Sequence, residues 1–203
     1  MRFAAHTALQ KLFITTLLTV SAAFSGNVFA ALPGSEPGEQ ALGYFTDLEL
    51  VTQDGEKVHF YSDLLKDRVV LISGYYINCD TVSPRQNLVL SRLQKKLGAL
   101  LGQEVLIVSV SVDPQNDTPA KVHDYARVFL PRPGWLFLTG SPENVDEVNM
   151  RLGQYHRNPE QHLGIYLLGN LKTGLWMKVS PQAQVDELYN RLRELLNDRG
   201  DSR

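Results

Sequence analysis

Two apolar runs of similar length constrain this chain more than any other feature. Arg68 to Tyr76 and Glu104 to Val112 are dense in Val, Ile and Leu and read as buried β-strands. Between them, after Pro84, the spacing turns helical, with Leu90, Leu93, Leu97 and Leu101 at i, i+3, i+7 and i+11. A strand, a helix of about four turns and a second strand form a right-handed βαβ unit with a parallel pair. Phe45 to Val51 and Lys57 to Phe60 predict a hairpin turning through Asp54-Gly55.

The remaining segments extend this α/β pattern. Thr118-Pro119 opens a helix with an apolar face of Val122, Tyr125, Ala126 and Phe129, ended by Pro131 and Pro133. Trp135 to Thr139 is a short strand. Ser141-Pro142-Glu143 starts a further helix whose apolar face is Val145, Val148 and Leu152. Ile165 to Leu168 and Leu175 to Val179 predict an antiparallel pair across a Gly169–Gly174 turn. A last helix carries Val185, Leu188, Leu192, Leu195 and Leu196 on one stripe. The order fits an α/β, thioredoxin-like fold with an added N-terminal β-hairpin and an extra helix near Ser141.

The first thirty residues follow a different rule. Arg2 and Lys11 carry the only charges before Glu36, and an apolar stretch runs from Leu12 to Phe24 ahead of Val28-Phe29-Ala30. That is the pattern of a secretory signal cleaved near Ala30. The run of about 13 residues is short against the roughly 20 needed to span a membrane, so membrane association is expected only through an uncleaved signal anchor. The expected organisation is a signal peptide at 1–30, a flexible leader at 31–41 with Pro and Gly, one domain at 42–198 and a polar tail at 199–203. The mature chain is expected in an oxidising compartment, the periplasm. A net charge of −2 gives no basic field for nucleic acid.

The chain has one cysteine, Cys79, which excludes an intramolecular disulfide, a CxxC redox pair and a four-cysteine zinc site. Cys79 follows a buried strand and precedes a helix, where the helix N-terminus favours a thiolate as nucleophile or metal ligand; the alternative is a buried, inert thiol. Ser83, four residues on and just before Pro84, is read as a helix N-cap. His162 lies in the loop before the strand Ile165–Leu168, and imidazole with thiolate suits copper or zinc; a solvated loop histidine is the alternative. His156 is a spare donor, and His123 is expected on the exposed side of its helix. Asp113 either orients a ligand or caps its own turn. Tyr75, Tyr76, Trp135 and Trp176 are read as core or interface aromatics.

Four segments together resemble the SCO/SenC family of thioredoxin-like, copper-binding cytochrome c oxidase assembly proteins. They are Asp54-Gly55 with Asp63-Leu64-Leu65 and Val69–Ile72; Cys79-Asp80-Thr81-Val82-Ser83-Pro84, set against the family's Cys-Pro-x-x-Cys-Pro; Ser111-Val112-Asp113-Pro114 with Asp117-Thr118-Pro119 and Leu138–Pro142; and His162 ahead of Gly169-Asn170 and Thr173-Gly174-x-Trp176. The resemblance implies that Cys79 and His162 are metal ligands for copper and that Asp113 matches the aspartate of the family's Asp-Pro segment. It also implies that Ser83 stands where the family has its second cysteine and Asp80 where it has a proline. The expected function is therefore an exported copper-binding accessory protein, not an enzyme, with a weakened Cys/His site. Its expected partners are the copper ion and a cuproprotein or oxidase subunit. A single-thiol redox protein and a metal-free interaction protein on the same fold are the alternatives.

Overall fold

The computed structural model describes residues 37–200. The expected signal peptide, residues 31–36 of the leader and residues 201–203 of the tail lie outside the described residues. Within them the order is α1 (Pro37–Phe45), β1 (Glu49–Thr52), β2 (Lys57–His59), β3 (Val69–Tyr75), α2 (Val82–Leu97), β4 (Val105–Ser111), α3 (Pro119–Arg127), β5 (Trp135–Thr139), α4 (Pro142–Leu152), β6 (Tyr166–Asn170), β7 (Leu175–Val179) and α5 (Val185–Asn197). The strands form one seven-stranded sheet in the order β2-β1-β5-β4-β3-β6-β7. β3 runs parallel to β4 and β4 parallel to β5, while β6 and β7 close one edge antiparallel. This is the expected α/β, thioredoxin-like architecture, with the N-terminal hairpin docked antiparallel on β5.

Side-chain alternation along the central strands divides the core in two. Val69, Leu71, Tyr75, Val105 and Ile107 face α2, α3 and α5, whereas Val70, Ile72, Leu106, Val108 and Val110 face α1, α4 and the wide helical turn Phe60–Leu65. With both faces covered, β3 and β4 are buried along their whole length, which is why they read as unbroken apolar runs.

Three local expectations are corrected. Phe45 ends α1 instead of starting a strand, because Leu42 and Phe45 share helical spacing and the buried Phe45 ring packs on Trp176, 4.8 Å between centroids. Helix α2 begins at Val82 with Thr81 as its N-cap, so Ser83 lies inside the first turn and is not the cap. Gly169 and Asn170 belong to β6, not to a turn; a Cβ on Gly169 would lie 2.5 Å from the Trp176 ring, which crosses over it from β7. The N-caps Thr118 and Ser141, each followed by proline, stand as expected.

Candidate functional site

The site forms at the carboxyl end of β3, where the chain turns through residues 77–80 into α2. Cys79 N–H donates to the Tyr76 carbonyl at 3.2 Å and closes this turn. The first N–H groups of a helix lack intrahelical acceptors. Here the Ser83 N–H donates to Cys79 Sγ at 3.3 Å, and the Thr81 hydroxyl lies 4.0 Å from the same sulfur. Cys79 is a free thiol, 6% exposed. Burial pushes its pKa up, but hydrogen bonds from the Ser83 backbone and side chain, the Thr81 backbone and the Tyr76 phenol outweigh burial and hold it below the ordinary thiol value.

Ser83 is fully buried, and its Oγ accepts the Tyr76 N–H at 3.2 Å. Its hydroxyl thus fastens the end of β3 to the start of α2. Asp80 is exposed beside this turn. Asp113 does not join the group: both of its carboxylate oxygens accept from Asn116 Nδ2 at 3.0 Å, and its own N–H donates to Ser111 Oγ at 3.0 Å. That is the geometry of a residue capping its own turn.

His162 follows the short turn Pro159–Gln161 and donates its N–H to the Pro159 carbonyl at 3.1 Å. It is 7% exposed, and its Nε2 is buried with no hydrogen-bond partner. Burial lowers its pKa, with His156 adding to the effect and the Pro159 and Gly74 carbonyls opposing it. The ring is therefore neutral at neutral pH, the form that ligates metals. Gly74 makes room for Gln154 beside it: a Cβ there would lie 2.7 Å from Gln154 Oε1 but in ordinary contact, 3.5 Å, with His162 Cδ2. Gln154, His156 and His162 share a cavity of about 20 Å³, the size of one water. His123 is exposed on α3, where its Nδ1 lies 2.9 Å from the Gln53 carbonyl.

Two residues matter more than the sequence reading gave them credit for. Tyr75 is a buried core aromatic stacked on Tyr125, but Tyr76 is not: it is half-buried, and its ring stands edge-on to His162 with 5.6 Å between centroids. Burial, then the neighbouring thiol, push the Tyr76 phenol up to about 12. The second is Asp117, 1% exposed, which accepts the Ile77 N–H at 3.2 Å and the Ser111 hydroxyl at 2.6 Å. Burial raises its pKa to about 6 against the pull of those two hydrogen bonds, and the Asp113 charge adds to the rise. Asp117 ties the turn carrying Cys79 to the end of β4. Its signal in the sequence was its place before the Thr118-Pro119 cap. Tyr76 gave no signal, because a tyrosine ending a buried strand is ordinary.

Among the described residues no three His, Cys, Asp or Glu side chains cluster closely enough to hold a metal. What the arrangement offers is one thiol of lowered pKa and one buried imidazole whose Nε2 lacks a partner, with the Tyr76 ring against the imidazole. Sulfur and neutral imidazole together suit a borderline-soft ion such as copper.

A family model described as SCO1/SenC matches residues 37–197. The chain belongs to the SCO1/SenC family. It is 30% identical over 165 residues to the mitochondrial SCO1 homolog 1 of Arabidopsis thaliana, covering 81% of this chain and 47% of that protein. It is 38% identical over 101 residues to the SCO1 protein homolog of Bacillus subtilis, covering 49% of this chain and 51% of that one. The chain thus spans about half the length of these curated relatives. In fold it matches Arabidopsis ScoI with copper bound, with a TM-score of 0.61 at 23% identity over 73% of this chain and 95% of that one. BsSco, a Sco family cytochrome c oxidase assembly protein with a disulfide switch, matches with a TM-score of 0.61 at 27% identity over 73% of this chain and 90% of that one. An internal disulfide switch has no counterpart in this SCO1/SenC chain, which has one cysteine.

Proposed function

We propose that this protein is an exported, periplasmic copper-binding accessory protein of the SCO1/SenC family, serving cytochrome c oxidase copper-site assembly or copper homeostasis. Its site is reduced to Cys79 and His162, and it is not an enzyme. One observation carries the reading: the buried Nε2 of a neutral His162 has no hydrogen-bond partner among the described residues, and the same end of the sheet carries Cys79, whose thiol pKa is lowered. A buried nitrogen left unpaired costs free energy unless a ligand completes it. Cys79 supplies a thiolate held by the Ser83 N–H, and His162 supplies the imidazole. Copper(I) accepts such a two-donor set, and losing a third soft donor weakens it.

The test is a titration of the reduced protein with copper(I) against a calibrated chelator, beside Cys79→Ala and His162→Ala. One equivalent bound, with affinity falling at least about 10- to 100-fold in each variant, is expected. No uptake by the wild-type protein overturns the reading. The lowered thiol pKa favours one second reading, a single-thiol redox protein. At 6% exposure Cys79 should then still react quickly with peroxide; a slow reaction sinks that alternative.

A further inference from the structure

A buried amide clamps the loop between α3 and β5. Gln94 of α2 is 1% exposed; its Nε2 donates to the Leu130 carbonyl at 3.0 Å, and its Oε1 accepts the Arg132 N–H at 2.8 Å. Ser91 Oγ donates to the Phe129 carbonyl at 3.1 Å. Within this clamp Leu130 has a φ of +51°, a left-handed backbone that a Cβ disfavours. Phe129 turns into the core, but Leu130 is 77% exposed and Val128 is 74% exposed. The clamp therefore holds two apolar side chains out in water, in a backbone form unusual for leucine. Leu88, three residues before Ser91 on α2, is exposed as well. On the α2 side of the loop the charge has one sign. Arg92 and Lys95 of α2, Arg127 at the end of α3 and Arg132 in the loop are exposed, and none is ion-paired among the described residues. Helix α2 carries no acidic residue along Val82–Leu97. The acids near the loop, Asp54 and Asp124, line the hollow on its hairpin side. The net charge of −2 is thus distributed unevenly.

We infer that this loop, with the neighbouring face of α2, seats the protein on the surface of an anionic lipid bilayer. Val128 and Leu130 enter the boundary between headgroups and acyl chains, and Lys95, Arg127 and Arg132 meet lipid phosphates. The shape favours a bilayer over a protein surface. Apolar side chains that stand clear of the molecule need a layer that yields around them, with anions at its rim. Because Gln94 already fixes the loop, docking orders little that was free. Among the described residues no helix is long and apolar enough to cross a membrane, so this contact is peripheral. It uses neither Cys79 nor His162 and stands apart from the copper-binding reading.

The experiment follows hydrogen–deuterium exchange of the full chain as vesicles are added. One set holds phosphatidylglycerol and phosphatidylethanolamine, the other phosphatidylcholine alone. Exchange at residues 127–133 should slow with the anionic vesicles and not with phosphatidylcholine. Reading this loop separates the docking from any membrane contact made elsewhere in the chain. Each cation near an anionic surface is worth about fivefold in binding. Arg127→Ser with Arg132→Ser should therefore raise the lipid concentration for half-protection of the loop at least about tenfold. Leu130→Asn should raise it about tenfold or more. Asparagine tolerates left-handed backbone, so that variant should unfold no lower in temperature than wild type. Slowing only outside 127–133, equal slowing by both lipid sets, or variants that match wild type overturn the inference. So does a loop protected by polyglutamate but by neither vesicle, which assigns this face to an acidic polypeptide instead.

Discussion

Replacing Asp117 with asparagine keeps the shape of a buried side chain and removes its charge. The amide oxygen can still accept the Ile77 N–H, and the Ser111 hydroxyl can rotate to accept from the amide nitrogen. In the wild type, burial moves the carboxyl from 3.8 to about 6. The folded state therefore holds this proton more tightly than the unfolded chain does. Between pH 4 and pH 6 the folded protein binds more protons than the unfolded one, so stability falls as pH rises through that window. A move of this size corresponds to about 3 kcal/mol, present in full below the unfolded pKa and lost above pH 6. Asp117→Asn removes that loss. At pH 7 the variant should be more stable than wild type by about 2–3 kcal/mol, and at pH 4 the two should be similar. Urea unfolding of both proteins at intervals from pH 4 to pH 8 measures the difference directly. Parallel stability curves would refute the reasoning, because the carboxyl would then titrate alike in the folded and unfolded states.

Ser83→Cys restores a second thiol beside Cys79, at a position whose backbone N–H already meets the Cys79 sulfur at 3.3 Å. Copper(I) affinity should rise at least about tenfold, and mild oxidation should consume two thiols per chain; an unchanged affinity counts against the placement of Ser83. Gly134→Ala should destabilise the fold by about 3 kcal/mol or more, since its Cβ would sit 2.3 Å from the Gly102 backbone nitrogen at a φ of +99°. Thermal unfolding of that variant at wild-type stability would show that the two turns can move apart.

The fold was legible because its signals are local. β3, β4, β5 and β7 and the proline-led starts of α3 and α4 each depend on a few adjacent residues, and the structure places them where the pattern did. The errors fell where distant groups decide. Phe45 is drawn into a helix by a Trp176 ring 131 positions away, and Gly169 joins a strand because that same ring needs a surface without a side chain. Cys79 and His162 could be singled out by residue type, but their environments could not. The Ser83 N–H, the Tyr76 phenol and the unpaired His162 Nε2 are products of tertiary packing. In sequence Asp113 was the candidate and Asp117 only the residue before the Thr118-Pro119 cap. Only burial separates the half-buried turn cap Asp113 from the fully buried carboxylate of Asp117 behind the site.

The serine at position 83 removes less than it first suggests. The Cys79 sulfur is held by a backbone N–H of α2, and that donor is the same whatever side chain residue 83 carries. Helix geometry puts the N–H there, and Thr81 and Asp117 fix where the turn meets the helix and the sheet. Thiol positioning is thus independent of the second cysteine, while a second thiolate donor and the disulfide depend on it entirely. The hydroxyl takes over a structural task, accepting the Tyr76 N–H, that sulfur would perform weakly. That bond fixes the backbone of Tyr76, whose ring stands against His162. The serine therefore keeps the end of β3 fastened to the start of α2, and with it the turn that presents Cys79.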